Sequence, residues 1–383
     1  MKIKTPSFIE CYRKIISIPS ISSIDPSLDQ SNESLVHLLA NWFYDLGFKI
    51  TLSSIPNTRN KFNLLATTGK GLGGLLLSGH TDTVPCDPNF WKYDPFILTE
   101  SDNKFYGLGT VDMKGFFALL INVLSNIDIS KLRKPLYILA TADEETTMIG
   151  AKNFSKLTAL KPDIAIIGEP TSLKLISSHR GHISITVRIR GESGHSSDMS
   201  SINSVNAIDI AQKIIYHLSK LRKIVIKNHH DNKSDSPYLI VNFGSIKGGD
   251  LSNRICSYCE LHLDIRFLPN FTINDINKFI NQALKPIRKI WLDRIYIDQL
   301  HQPIPAYKCS NSSSIQQIQQ LLGKKLEIVN YCTEAPFIQN ICPTLIFGPG
   351  SINQAHQPNE FMDISFIKPA YENIFRIVHY FCN

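Results

Sequence analysis

Short apolar runs recur along the chain between stretches of helical length. Leu64 to Ala66, Leu75 to Leu77, Leu136 to Ala140, Ile164 to Ile167 and Leu345 to Phe347 are bounded by Gly, Pro or Asp. Runs of this kind predict buried strands of a mostly parallel sheet. Glu33 to Leu46 and Lys114 to Leu124 have the length of helices, so the order strand, helix, strand predicts crossover connections and an α/β architecture.

A different texture begins near Gly181. From His182 to Arg190, Ile183, Ile185, Val187 and Ile189 alternate with polar residues, as in a sheet with one wet face. Val205, Ile208, Ala211, Ile215 and Leu218 follow at spacings of three and four, which predicts an amphipathic helix. Strand-like runs at Tyr238 to Phe243 and Tyr258 to Phe267 precede a second helical stretch from Ile273 to Leu284. This β-α-β-β-α segment reads as a small, ferredoxin-like α+β domain inserted into the larger one. The expected division is 1–180 and 294–383 for the parent domain, with 181–293 as the insert.

At 383 residues, 43% hydrophobic and 19% charged, the chain has length for two domains with substantial cores. Its net charge of +7, from 40 basic against 33 acidic residues, is spread along the sequence. Nucleic-acid sites need denser basic patches interleaved with aromatics, so no nucleic-acid partner is expected. The N-terminal stretch is broken by Glu10, Arg13 and Lys14, and the longest apolar run, Phe116 to Leu124, is interrupted by Asn122. Neither an export signal nor a membrane span is indicated, and a cytoplasmic protein is expected. The 8 cysteines are too sparse for a disulfide scaffold and read as reduced thiols. Cys256 and Cys259 form a lone CxxC with no second ligand pair, and Cys259 continues an apolar strand face with Leu261, Leu263 and Ile265. His229 to Ser236 reads as a polar surface loop.

The chemistry-bearing residues sit where predicted strands end. Ser78-Gly79-His80-Thr81-Asp82 follows Leu75 to Leu77 directly, and strand C-termini are where parallel sheets build sites. Alone, an HxD pair is a weak signal, since a hydrogen-bonded structural histidine explains most such pairs. Gly107-Leu108-Gly109-Thr110-Val111-Asp112 places two glycines before a carboxylate at a predicted helix start, where an ordinary Asp N-cap is the plain alternative. Asp143-Glu144-Glu145 follows the run Leu136 to Ala140; adjacent carboxylates at a buried strand end repel one another unless a cation or protons neutralise them. Glu169 follows Ile164 to Ile167, and His356 comes shortly after Leu345 to Phe347. Imidazoles and carboxylates gathered in this way are ligands suited to zinc or cobalt, as one ion or a pair.

With these motifs in chain order, the sequence resembles the M20 metallo-aminoacylases and peptidases over essentially its whole length. The resemblance is carried by SGHTDTVP at Ser78 to Pro85, YGLGTVDMKG at Tyr106 to Gly115, ADEE at Ala142 to Glu145, GEPT at Gly168 to Thr171 and SGHSS at Ser193 to Ser197. It implies that His80 and Glu169 bind one metal, that Glu145 and His356 bind the other, and that Asp112 bridges them. It further implies that Asp82 orients the His80 ring and that Glu144, the acid left without a metal, is the general acid/base of an amide hydrolysis. The insert would be a dimerisation domain whose His195 stabilises the tetrahedral intermediate in the partner's site, giving a homodimer. Asn253 and Arg266 match positions associated with the substrate's carboxyl end, a contact suited to arginine's fork; for Arg266 a surface salt bridge is the alternative.

Further runs narrow the resemblance within the family: Gly248 to Asp250 with Ser252 to Cys256, Tyr331 to Phe337, and Gly348 to Pro358. The substrate they imply is N2-acetyl-L-ornithine, split to acetate and L-ornithine. Glu334, an acid among Ala, Pro and Phe, is a candidate partner for that substrate's distal ammonium, an exposed turn being the other reading. N-Succinyl-diaminopimelate or dipeptides are the rival substrates. A non-catalytic metal-binding protein would lack Glu144 or a ligand, and none is missing here.

Overall fold

A computed structural model of the chain describes residues 6–197, 205–228 and 238–383. The expected polar loop His229 to Ser236 lies outside the described residues. The elements in chain order are α1 (Phe8–Ile16), α2 (Glu33–Asp45), β1 (Lys49–Ser54), β2 (Phe62–Thr68), β3 (Leu75–His80), β4 (Thr99–Ser101), β5 (Lys104–Tyr106), α3 (Lys114–Leu124), β6 (Leu136–Thr141), α4 (Ile149–Leu157), β7 (Ile164–Ile167) and β8 (Leu175–His179). Next come β9 (Gly181–Arg190), α5 (Ala207–Asn228), β10 (Ile240–Gly248), β11 (Tyr258–Phe267), α6 (Ile273–Ile290), β12 (Ile295–Gln299) and β13 (Tyr307–Lys308). The chain closes with α7 (Ser313–Leu322), β14 (Leu326–Val329), α8 (Ala335–Ile338), β15 (Thr344–Ile346), β16 (Phe361–Asp363) and α9 (Ile367–Cys382).

The chain separates into two compact units. One comprises Met1–Ser177, Cys309–Glu327 and Thr333–Asn383; the other comprises Ser178–Lys308 and Ile328–Cys332. In the first unit a mixed sheet runs β1-β2-β6-β3-β7-β15-β8. Its centre is parallel, with β3 between β6 and β7 and β15 beside β7, while β1, β2 and β8 pair antiparallel at the flanks. Every residue of β3, β6 and β7 is buried, as expected where helices cover both faces. Helix α3 is buried almost all round and packs tightly below the strand ends. A Cβ on Gly168 would lie 2.4 Å from the Phe116 ring, so only glycine lets the chain leave β7 at that point.

The second unit has the order β9-α5-β10-β11-α6-β12, with an antiparallel sheet ordered β10-β11-β9-β12; this is a ferredoxin-like arrangement. Ile183, Ile185, Val187 and Ile189 of β9 and Cys259, Leu261, Leu263 and Ile265 of β11 make the dry face of the sheet. Ile276, Ile280, Leu284 and Ile287 of α6, spaced for one helical face, pack into the same core. A Thr272 and Asp275 capping box starts α6.

The second unit departs from the sequence reading at a domain boundary and at a helix face. The expected boundary at 293 and 294 falls too early, because β12 pairs with β9 and the unit continues to Lys308. The buried stripe of α5 is Ala207, Ile210, Ala211, Ile214, Leu218 and Val225, whereas Ile208 is 43% exposed. A run of alternating isoleucines supports two neighbouring helical faces, and packing against the sheet selects one of them.

Candidate metal centre

Because β3, β6, β7 and β15 run parallel, their C-terminal ends share one edge of the sheet. His80 is the last residue of β3, opposite Thr141, the last residue of β6. The turn after β6 carries Asp143, Glu144 and Glu145, the turn after β7 carries Glu169, and the segment after β15 carries His356. Asp112 arrives on the loop before α3, two residues ahead of Lys114. These positions are distant in sequence and close in space.

Three groups of side chains bring their ligand atoms within 4.8 Å of one another: His80, Asp112 and Glu169; Asp112, Glu145 and His356; and His80, Glu144 and Glu145. His80 Nε2 lies 3.0 Å from Asp112 Oδ1 and 3.9 Å from Glu169 Oε1. His356 Nε2 lies 3.0 Å from Glu145 Oε2 and 3.5 Å from Asp112 Oδ2. Asp112 thus sits between the two imidazoles. Its carboxylate and those of Glu144 and Glu169 are buried, whereas the His356 side chain is half exposed.

Asp82 lies behind His80. Its backbone carbonyl is 3.0 Å from His80 Nδ1, and its carboxylate is 3.6 Å away. That carboxylate accepts the backbone N–H groups of Glu144 at 3.1 Å and Glu145 at 3.0 Å. Asp82 therefore fastens the acid-bearing turn as well as facing the ring. The turn itself is constrained, with Asp143 at φ 55°, a left-handed conformation that costs a non-glycine residue energy.

Electrostatics in this pocket are strongly perturbed. Burial, then the neighbouring Glu169 charge, pushes the Glu144 carboxyl well above its usual range. Burial and Asp112 do the same to Glu169, and they raise Glu145. Burial alone would raise Asp112, but the hydrogen bond and charge of His80 bring it below the ordinary value. Burial opposes the charge on His80, yet Asp112, Glu169 and Asp82 hold its pKa well above normal. The hydrogen bond to Glu145 lifts His356 to about 9. Acids this crowded raise one another's proton affinity, and a cation among them would relieve the repulsion. Imidazole and carboxylate together fit a divalent ion such as zinc.

Other predicted positions fall outside these three groups of side chains. Glu334 is not at an exposed turn: it is 1% exposed, and its Oε2 accepts the Thr141 hydroxyl at 2.8 Å. Burial pushes its carboxyl up to about 7. His195, Asn253 and Arg266 belong to the second unit. His195 and Asn253 are exposed on two loops joined by a bridge between His195 and Arg254 and by a bond from Ser196 N–H to the Asn253 carbonyl at 3.0 Å. Arg266 pairs with Asp264 through Nε at 3.0 Å and through a second nitrogen at 3.2 Å, and His182 caps the same carboxylate at 2.8 Å.

Sequence reasoning missed three buried ionisable groups in the first unit, Lys61, Lys114 and Glu360. Lys61 donates to Asp29, Asp143 and the Gln30 carbonyl. Lys114 donates to the Ile18 carbonyl at 2.7 Å, and burial lowers it to about 7. The Glu360 carboxylate accepts backbone N–H groups of the loop that ends in Asp112. Glu360 lies two residues beyond the run Gly348 to Pro358, and neither it nor Lys61 stands out by residue type.

The profile of peptidase family M20/M25/M40 matches residues 76–380. Acetylornithine deacetylase of Shigella sonnei (strain Ss046) is 56% identical over 383 residues, covering 100% of both chains. Acetylornithine deacetylase of Erwinia tasmaniensis (strain DSM 17950) is 56% identical over 384 residues, again covering 100% of each. Among solved structures, an M20 family metallo-carboxypeptidase from Sulfolobus solfataricus superposes with a TM-score of 0.76 at 17% identity, over 97% of this chain and 98% of that one. Matching motifs, fold and full-length relatives agree: the chain belongs to peptidase family M20/M25/M40.

Proposed function

We propose that this protein is an acetylornithine deacetylase, hydrolysing the amide of N2-acetyl-L-ornithine to acetate and L-ornithine in arginine biosynthesis. Full-length identity of 56% to two relatives of that name carries the reading, and the imidazole and carboxylate cluster supplies the chemistry.

In this reading His80 and Glu169 hold one zinc or cobalt ion, Glu145 and His356 hold a second, and Asp112 serves both. When bound, the ions supply Lewis acidity toward the amide carbonyl and make water easier to deprotonate. Glu144 is the general acid/base. Its burial favours the protonated carboxyl, so a proton taken from water is held and then returned to the leaving amine. Asp82 fixes that carboxylate's backbone through the Glu144 and Glu145 N–H groups. His195 is assigned to the developing oxyanion across a homodimer formed by the second unit, and Asn253 and Arg266 to the substrate carboxylate. Arg266 holds Asp264 with two of its nitrogens, which orients the rest of its fork. Glu334 is assigned to the distal ammonium; its Oε1 has no hydrogen-bond partner among the described residues. No helix among the described residues is long and apolar enough to cross a membrane, in keeping with a cytoplasmic enzyme.

The test is acetate release from N-acetylornithine by metal-stripped protein, with and without added zinc or cobalt, beside N-succinyl-diaminopimelate and simple dipeptides. Metal-dependent turnover with acetylornithine preferred is expected. Preference for either rival substrate would overturn the assignment.

A further inference from the structure

Asp112 and His356 approach the same group of ligands from opposite parts of the chain, and one side chain ties their two segments together. Glu360 lies four residues beyond His356 and is 2% exposed. Its Oε2 accepts the Gly109 N–H at 3.0 Å, and its Oε1 accepts those of Val111 at 2.8 Å and Asp112 at 3.1 Å. Its backbone carbonyl accepts the Gly107 N–H at 3.1 Å. Just past it, β16 pairs with β5, Phe361 opposite Tyr106. The loop from Gly107 to Asp112 is therefore gripped by the segment that presents His356.

The geometry of that grip suits an anion: burial pushes the Glu360 carboxyl up to about 8, and the backbone N–H groups of Gly109, Val111 and Asp112 act against that rise by favouring the carboxylate. Successive backbone N–H groups turned toward one point form a nest for negative charge, and Gly109 at φ 81° gives the loop the turn it needs. A carboxylate offers acceptors on both oxygens. A carboxamide in its place offers one oxygen and turns an N–H₂ group against a backbone donor.

We propose that Glu360 is a positioning residue for the metal centre: by holding the amides of Gly109, Val111 and Asp112, it sets the Asp112 carboxylate at the spacing from His356 that a shared cation requires. The inference rests on the metal-centre reading above. Loss of partners that orient ligands weakens metal affinity or activity, and a zinc series separates the two.

The experiment compares zinc binding by the full-length wild type, Glu360→Gln and Glu360→Asp, using competition with a chromogenic chelator, circular dichroism to verify folding, and turnover across a zinc series. Zinc affinity of Glu360→Gln should fall about 10–100-fold, with kcat recovering toward wild type in excess zinc and KM unchanged. Glu360→Asp keeps the charge on a shorter arm and should fall between the two. Should Glu360→Gln not fold, Glu360→Asp alone must show the weakened affinity and the rescue by zinc. Unchanged affinity in the folded variants, or lost turnover that excess zinc does not restore, would overturn the proposal. A wild type that takes up no zinc would instead reject the metal centre itself, so the two failures are distinguishable.

Discussion

Replacing Lys61 by methionine should destabilise the first unit severely, for reasons that can be counted atom by atom. The ammonium is 2% exposed and donates to Asp29 Oδ1 at 2.7 Å, the Gln30 carbonyl at 2.6 Å and Asp143 Oδ1 at 2.8 Å. All of its donor capacity is used inside the protein. Methionine fills the volume of the stem and leaves two carboxylates without their cation. Breaking a buried pair from one side costs about 3–5 kcal/mol. Asp29 is 17% exposed at its side chain and recovers some water, which points to the lower end of that range. A loss of about 3 kcal/mol would lower the midpoint by roughly 6–12 °C in a domain of moderate size. The effect depends on pH in a defined direction. Burial and the Asp82 charge raise the Asp143 carboxyl, while Lys61 pulls it down. Without Lys61 it rises further, so the folded variant binds a proton that the unfolded chain has released. Its stability then falls as pH climbs from the unfolded carboxylate value through the folded one. Denaturant unfolding of wild type and Lys61→Met should show a gap that is wide at pH ~7.5 and narrower at pH ~5.5. A gap below about 1 kcal/mol at the higher pH, or one that widens toward acid, refutes the reasoning.

Three further outcomes are expected. Glu144→Ala should keep its metal by elemental analysis and lose about 10²–10⁴-fold in turnover; retained acetate release would reject its acid/base role. Glu334→Gln should lose the preference for acetylornithine over acetylated neutral amino acids, and an unchanged ratio of kcat/KM values would remove Glu334 from substrate recognition. Adding zinc to chelator-treated protein should raise its melting temperature, because an ion bound only by the folded state stabilises it by mass action and neutralises the crowded acids at Asp112, Glu145 and Glu169. A melting curve indifferent to zinc would argue against a cation at this cluster.

What could be read from the sequence, and what could not, follows from where each signal resides. His80, Glu144, Glu145 and Glu169 each follow an apolar run closely, and a parallel sheet brings such run-ends to one edge whatever lies between them. Their convergence was therefore visible before any coordinates. Strand β12 was not, because only Ile295 in it is buried and Tyr296 and Asp298 give the look of a loop. The face of α5 was out of phase because isoleucine repeats at neighbouring positions. Glu360 and Lys61 escaped for a deeper reason. Glu360 reaches amides 248 to 251 residues earlier in the chain, and a backbone N–H is the same at every residue but proline, so the partner leaves no mark in the residue types. Lys61 likewise meets Asp143 on the turn after β6, where that residue takes a left-handed conformation. Side chains that would ligate a metal must be particular residue types, and so they can be recognised; the groups that hold those side chains in place bind generic backbone, and only the folded chain reveals them.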